Sequence, residues 1–119
     1  MIVIKYGGHA LPKDGSFDPC LELIASEFKK GEKIVLVHGG GPQINEELEI
    51  HSIKPEMING LRKTTPEVFK IVQKVLAGDV LRGITNQLIG LGIDAVGISS
   101  GDGGLIRRSE EHTSELQSR

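Results

Sequence analysis

The chain has 119 residues, 38% hydrophobic and 25% charged, with a formal net charge of −2, 3% aromatic residues, no Trp and one Cys. That is one domain or part of one, and it argues against a base-stacking nucleic-acid platform, an anionic membrane surface and a disulfide framework. No apolar run nears the ~18 residues of a membrane span, and a strand stands where a leader would, so the expectation is a cytoplasmic protein with no nucleic-acid or membrane partner.

The β-branched run 2–5 predicts a buried strand. Residues 6–15 are rich in Gly and Pro and predict a loop. Residues 18–31 predict a helix, with Asp18 as N-cap, Pro19 at the first helical position, Leu21, Ile24, Ala25 and Phe28 on one face, and Gly31 as the stop. A second buried strand is expected at 33–38, apolar without alternation, and a second helix at 41–51 with Ile44, Leu48 and His51 on one side. Met57 and Ile58 followed by Asn59-Gly60 predict a hairpin. Residues 64–92 predict a long helix. Thr64 and Glu67 have capping-box spacing, Pro66 lies in the first turn, and Val68, Ile71, Val72 and Val75 form the apolar stripe. Gly78 should bend or split this helix before Leu81, Ile84, Leu88 and Leu91 continue the stripe. Residues 94–99 predict a third buried strand, and 100–106 a glycine turn with Asp102 as a turn residue. Strands alternating with helices predict a three-layer α/β/α fold with a mainly parallel open sheet.

The last twelve residues, RSEEHTSELQSR, share no period with the rest. Arg108 to Ser118 reproduce the in-frame translation of a common sequencing-library adapter. The expectation is a folded part at 1–107, truncated from a longer product, and a disordered artefact at 108–119.

Both early strands run into glycines, Gly7 and Gly8 after the first and Gly39, Gly40 and Gly41 after the second. In an open parallel sheet, ligands sit beyond the carboxyl ends of the strands. The glycines serve either tight strand-to-helix turns or the close approach of a ligand. Two such loops favour the ligand, because backbone N–H groups and a helix N-terminus near Pro42 suit an anion. Lys5 ends a strand fit for burial, where an ammonium is costly without a charged partner such as a phosphate. GxxxxGK[ST] is absent, and Ile44 stands where GxGxxG needs its last glycine, which excludes a P-loop and a standard dinucleotide site. His38 reads as a hydrogen-bonded structural residue, His9 and His51 as surface groups, and Cys20 as a small apolar residue. With no cysteine partner and no close histidine pair, no metal site is expected.

IKYGGHA, VLVHGGGPQIN, NGLRKTTPEV, VLAGDVLRGITNQLI and AVGISSGDGGLI, in this order over 2–106, resemble the acetylglutamate kinases of the amino-acid kinase family. The resemblance implies transfer of the γ-phosphoryl group of ATP, with Mg2+, to the side-chain carboxylate of N-acetyl-L-glutamate in arginine biosynthesis. It implies that Lys5 stabilises the transferring phosphoryl group and that Gly7 and Gly8 lie beside the ATP phosphates. Gly40 and Gly41 would contact acetylglutamate and the transferred group, and Arg62 would hold a substrate carboxylate. Taken without the resemblance, Arg62 reads as a solvated loop charge. Family members are longer, and their second half carries most of the nucleotide site, a second lysine and an aspartate. The fragment alone is therefore expected to be inactive. The whole protein is expected to be a homodimer of the type without an extra N-terminal helix, which arginine does not inhibit. A kinase for an aminoadipate-type acyl amino acid is the rival enzyme, and NGLRKT fits the acetylglutamate type better. A non-catalytic amino-acid-binding module is the rival from another class. Lys5 and both glycine loops speak against it.

Overall fold

The structure, a computed structural model, describes residues 1–7, 11–54 and 56–106. Gly8, His9 and the expected tail at 108–119 lie outside the described residues. β1 (Ile2–Tyr6) and β2 (Ile34–His38) pair in parallel, from Ile2 opposite Ile34 to Tyr6 opposite His38. α1 (Pro19–Lys29) lies on the connection between them. α2 (Gly41–Ile50) follows β2, and β3 (Met57–Ile58) and β4 (Leu61–Arg62) form an antiparallel hairpin. α3 (Pro66–Gln73) runs through a π-helical segment (Lys74–Val80) into α4 (Leu81–Gly90).

Local rules set most of these boundaries. Asp18 caps α1 by accepting from the Cys20 N–H at 3.4 Å, with Pro19 at the first helical position, as expected. Asn59 and Gly60 both have positive φ, 52° and 79°, the geometry of the hairpin turn that their sequence predicts. The N-cap of α3 is Thr65 rather than the expected Thr64. Pro66 occupies the first helical position, which holds Thr65 in extended backbone. The Thr65 hydroxyl then accepts from the Val68 N–H at 3.2 Å. Gly78 falls inside the π-helical segment, so the expected irregularity is a widened turn rather than a break.

The core gathers Leu21, Ile24 and Ala25 of α1, Ile44 and Leu48 of α2, Val68 and Ile71 of α3, and Val75, Val80, Ile84 and Leu88 beyond them. Ile4, Ile34 and Leu36 pack their side of the sheet against it. Strands expected to be buried on both faces are buried on one. Val3 is 66% exposed, and Val35 and Val37 are about half exposed. A strand is doubly buried only when elements cover both faces, and these helices cover one. Phe28 and His51, assigned to apolar faces from spacing, are also exposed. His51 instead bonds Glu47 at 3.2 Å, one helical turn back.

Residues 94–99, expected as a third buried strand, form no strand. Their backbone lies on α4 instead. A Cβ at Gly97 would sit 2.5 Å from Arg82 Nη2 and 2.7 Å from Thr85 Oγ1, and Arg82 donates to the Gly97 carbonyl at 3.4 Å. Val96 is left 84% exposed. Beyond it, Asp102 Oδ2 accepts from the Ser99 N–H at 2.7 Å, so Asp102 does act as a turn residue. The described part is thus a parallel sheet with helices. No described helix is long and apolar enough to cross a membrane.

Candidate functional site

The parallel register places the two glycine loops together. Lys5 is opposite Val37 and Tyr6 opposite His38, so Gly7 and Gly39 leave the same carboxyl edge on adjacent strands. α2 starts at that edge with Gly41, which is exposed. α1 and α3 begin with a side-chain cap and an acidic residue in the first turn. α2 has neither. No cap or first-turn carboxylate of α2 itself offsets its positive dipole end.

The three glycines of this loop differ. Gly40 is buried, and a Cβ on it would lie 2.8 Å from Leu76 Cδ2 and 3.1 Å from Val80 Cγ2. Its lack of a side chain therefore lets the loop seat on the π-helical segment. At Gly40 a side chain is thus excluded by packing rather than by a ligand. Gly39 and Gly41 do have room for a side chain, because nothing lies within 4 Å of a Cβ at either. His38 braces the turn. Its Nδ1 is 3.0 Å from the Gly39 carbonyl, and since a carbonyl only accepts, Nδ1 carries the proton.

Lys5 is exposed, on the same open sheet face as Val3, Val35 and Val37. The Lys5 ammonium therefore carries no burial cost, unlike the expectation for a strand-end lysine. Among the described residues Lys5 has no ion-pair partner, which leaves its charge available at the edge. Tyr6, between Lys5 and Gly7, is only 2% exposed and anchors this end of β1. Its hydroxyl donates to Asp18 Oδ2 at 2.5 Å. The Asp18 N–H donates to Gln87 Oε1 at 3.0 Å, and Gln87 Nε2 donates to the Ser16 carbonyl at 2.8 Å. Burial first, then the hydrogen bond and charge of Asp18, push the Tyr6 phenol far above its ordinary value of 10.0. Sequence reasoning gave Asp18 only the cap and passed over Tyr6.

Arg62 reaches the site from the hairpin. Its Nη2 donates to Asn45 Oδ1 on α2 at 2.5 Å, while its Nε is buried without a hydrogen-bond partner among the described residues. Asn45 follows Gly41 by four residues, so both stand on one face of α2, and helical side chains lean toward the N-terminus. The guanidinium is thereby tied to the face that carries Gly41. Asn45 was missed by sequence reasoning, although its spacing from Gly41 was readable. The structure thus brings Lys5, Gly7, Gly40 and Gly41 to one edge and links Arg62 to it through α2. Gly8 lies outside the described residues.

Among the described residues, no three His, Cys, Asp or Glu side chains come together as a metal-holding group. Among the described residues, a cavity of about 360 Å³ is lined by Leu11, Phe17, Gly83, Asn86 and Gly90, from the first loop and α4.

The family model described as "Amino acid kinase family" matches residues 1–118. A curated acetylglutamate kinase from Synechococcus sp. (strain RCC307) is 42% identical over 106 residues, covering 89% of this chain and 36% of that protein. One from Methanoculleus marisnigri is 40% identical over 105 residues, covering 88% and 36%. The crystal structure of smu.665 from Streptococcus mutans UA159 superposes with a TM-score of 0.68 at 31% identity, covering 82% of this chain and 39% of that one. The chain spans little more than a third of the length of the two curated relatives.

Proposed function

We propose that this chain, which belongs to the amino acid kinase family, is the acceptor-binding part of an acetylglutamate kinase. The observation that carries this is the parallel register, which sets Lys5 and Gly7 beside the Gly39–Gly41 turn. A cation, exposed glycine backbone and a helix start without a side-chain cap at one edge suit a reaction whose charge lies on phosphoryl and carboxylate oxygens.

In that reaction a side-chain carboxylate oxygen of N-acetyl-L-glutamate attacks the γ-phosphorus of ATP. A P–O bond to the carboxylate forms, the P–O bond to the leaving ADP breaks, and an acyl phosphate results. Such transfer asks a protein mainly to position groups and neutralise charge. Lys5 would neutralise the phosphoryl oxygens in flight, and Gly7 and Gly8 would let the ATP phosphates approach the backbone. The Gly40–Gly41 backbone would face acetylglutamate and the transferred group, and Arg62 would hold a substrate carboxylate in its planar fork. Magnesium would travel with the ATP phosphates as part of the co-substrate. The chain alone is proposed to bind acetylglutamate without turning over ATP. The whole protein is proposed to be a cytoplasmic homodimer that acts in arginine biosynthesis. The adapter-like tail is proposed to be foreign to it.

The test is acyl phosphate formation by the full-length protein, trapped with hydroxylamine, with acetylglutamate compared against an aminoadipate derivative. Lys5→Ala should lower kcat by at least ~10²-fold, as loss of a preorganised charge-stabilising group does. Arg62→Ala should chiefly raise the KM for acetylglutamate. A Lys5→Ala enzyme within a few-fold of wild type, or an unchanged KM in Arg62→Ala, would remove the corresponding role.

A further inference from the structure

We infer that Asn45 is a positioning residue for the acceptor carboxylate, holding the Arg62 guanidinium in place without neutralising it. The inference rests on the proposed role of Arg62. It adds a residue to which neither the sequence motifs nor the comparisons give a role.

Three observations carry it. Arg62 Nη2 donates to Asn45 Oδ1 at 2.5 Å, which joins the hairpin to α2. Among the described residues, no carboxylate forms an ion pair with Arg62. The Arg62 Nε is buried with no hydrogen-bond partner among the described residues. A half-buried guanidinium would ordinarily be paired with an aspartate or glutamate. Here the partner is a neutral amide, which fixes the fork by a hydrogen bond and leaves the whole positive charge for an incoming anion. An unmet donor on a charged group carries a cost that a bound anion relieves. Asn45 also shares its helix face with Gly41, so the same residue sets where the fork stands relative to the glycine turn.

Asparagine and aspartate differ sharply in this position. Aspartate would keep the geometry but supply an internal carboxylate, which competes with the substrate's own. Alanine would release the fork and leave its charge free. Asn45→Asp should therefore weaken acetylglutamate binding more than Asn45→Ala does, although it is the closer isostere. Both should lose about tenfold or more, the scale of a hydrogen bond to a charged group.

The experiment is a titration of the 15N-labelled 119-residue chain with N-acetyl-L-glutamate, followed at the Gly41 amide and the Arg62 Nε–H signals. In wild type both should shift with one shared Kd. Before any ligand is added, Asn45→Asp should already carry the Arg62 signal toward its ligand-bound position, a signature that a merely structural asparagine would not give. If Arg62→Ala abolishes binding while Asn45→Ala and Asn45→Asp bind like wild type, the inference fails and the role of Arg62 survives. If wild type shows no shift at either position, or Arg62→Ala binds like wild type, the role of Arg62 fails and the inference falls with it. Should the Asn45 variants not fold, guanidinium rotation in wild type decides. Rotation slowed at Arg62 supports the inference, and free rotation overturns it.

Discussion

Tyr6 gives the sharpest test of how the carboxyl end of β1 is held, because it is the one tyrosine in a chain without tryptophan. Its ionisation can therefore be read directly from tyrosinate absorbance. In the folded chain, burial and the donated bond to Asp18 hold the phenol far above 10.0, whereas the unfolded chain should titrate near that value. A folded-state pKa raised in this way contributes stability that is complete below pH 10 and is lost as pH rises beyond it. One proton separates the two states there, so Tyr6 should remove about 1.4 kcal/mol of stability per pH unit above 10. Tyr6→Phe keeps the ring and deletes the bond to a buried carboxylate, which should cost about 1.5–3 kcal/mol at neutral pH. Urea unfolding of both proteins from pH 8 to 11.5 checks this. Every other side chain is common to both proteins, so the wild-type advantage over Tyr6→Phe isolates the tyrosine, and that advantage should shrink above pH 10. A folded chain whose tyrosinate signal rises with a midpoint near 10 would refute the buried Tyr6–Asp18 bond.

Three further outcomes test the rest of the reading. Gly40→Ala should destabilise the chain by about 1–3 kcal/mol through overpacking on Leu76 and Val80. Gly41→Ala should leave the urea midpoint nearly unchanged while weakening acetylglutamate binding, and equal midpoints for the two would reject the separation of their roles. Thr65→Ala should cost about 0.5–2 kcal/mol as a lost N-cap, and thermal unfolding should show Thr64→Ala costing less. Replacing exposed Val35 with Thr should change stability by no more than about 0.5 kcal/mol. A larger loss in chemical denaturation would mean that this sheet face is covered in solution.

What could be read in advance divides along a physical line. Asp18-Pro19, Asn59-Gly60 and Gly78 act on their own neighbourhoods, so the α1 cap, the hairpin and the irregular helix were all legible. The α3 cap differs from the capping-box spacing by a single residue, because Pro66 restricts its predecessor Thr65 to extended backbone. The sheet faces differ for another reason. Val3, Val35 and Val37 have the composition of doubly buried strands, but burial depends on what lies across the sheet, which no local pattern encodes. Residues 94–99 are apolar enough for a strand, yet Gly97 fits its backbone against α4 and the segment goes there.

The same division runs through the site. That the two glycine loops share one carboxyl edge was legible from the order of strands, helices and glycines. Which glycine does what was not, since GGG is one word in sequence and three environments in space. Gly40 faces Leu76 and Val80 from a π-helical segment more than thirty residues further along. Gly39 and Gly41 face open space. A π-helical turn widens the helix where it occurs, and such turns recur at functional sites. Here it presents the Leu76 and Val80 side chains to a bare Gly40. The space for a side chain is therefore filled by packing at one residue of this tripeptide and open at the other two. Substitutions that disturb folding and those that disturb binding should separate at adjacent positions, which a loop made of glycine only for flexibility would not allow.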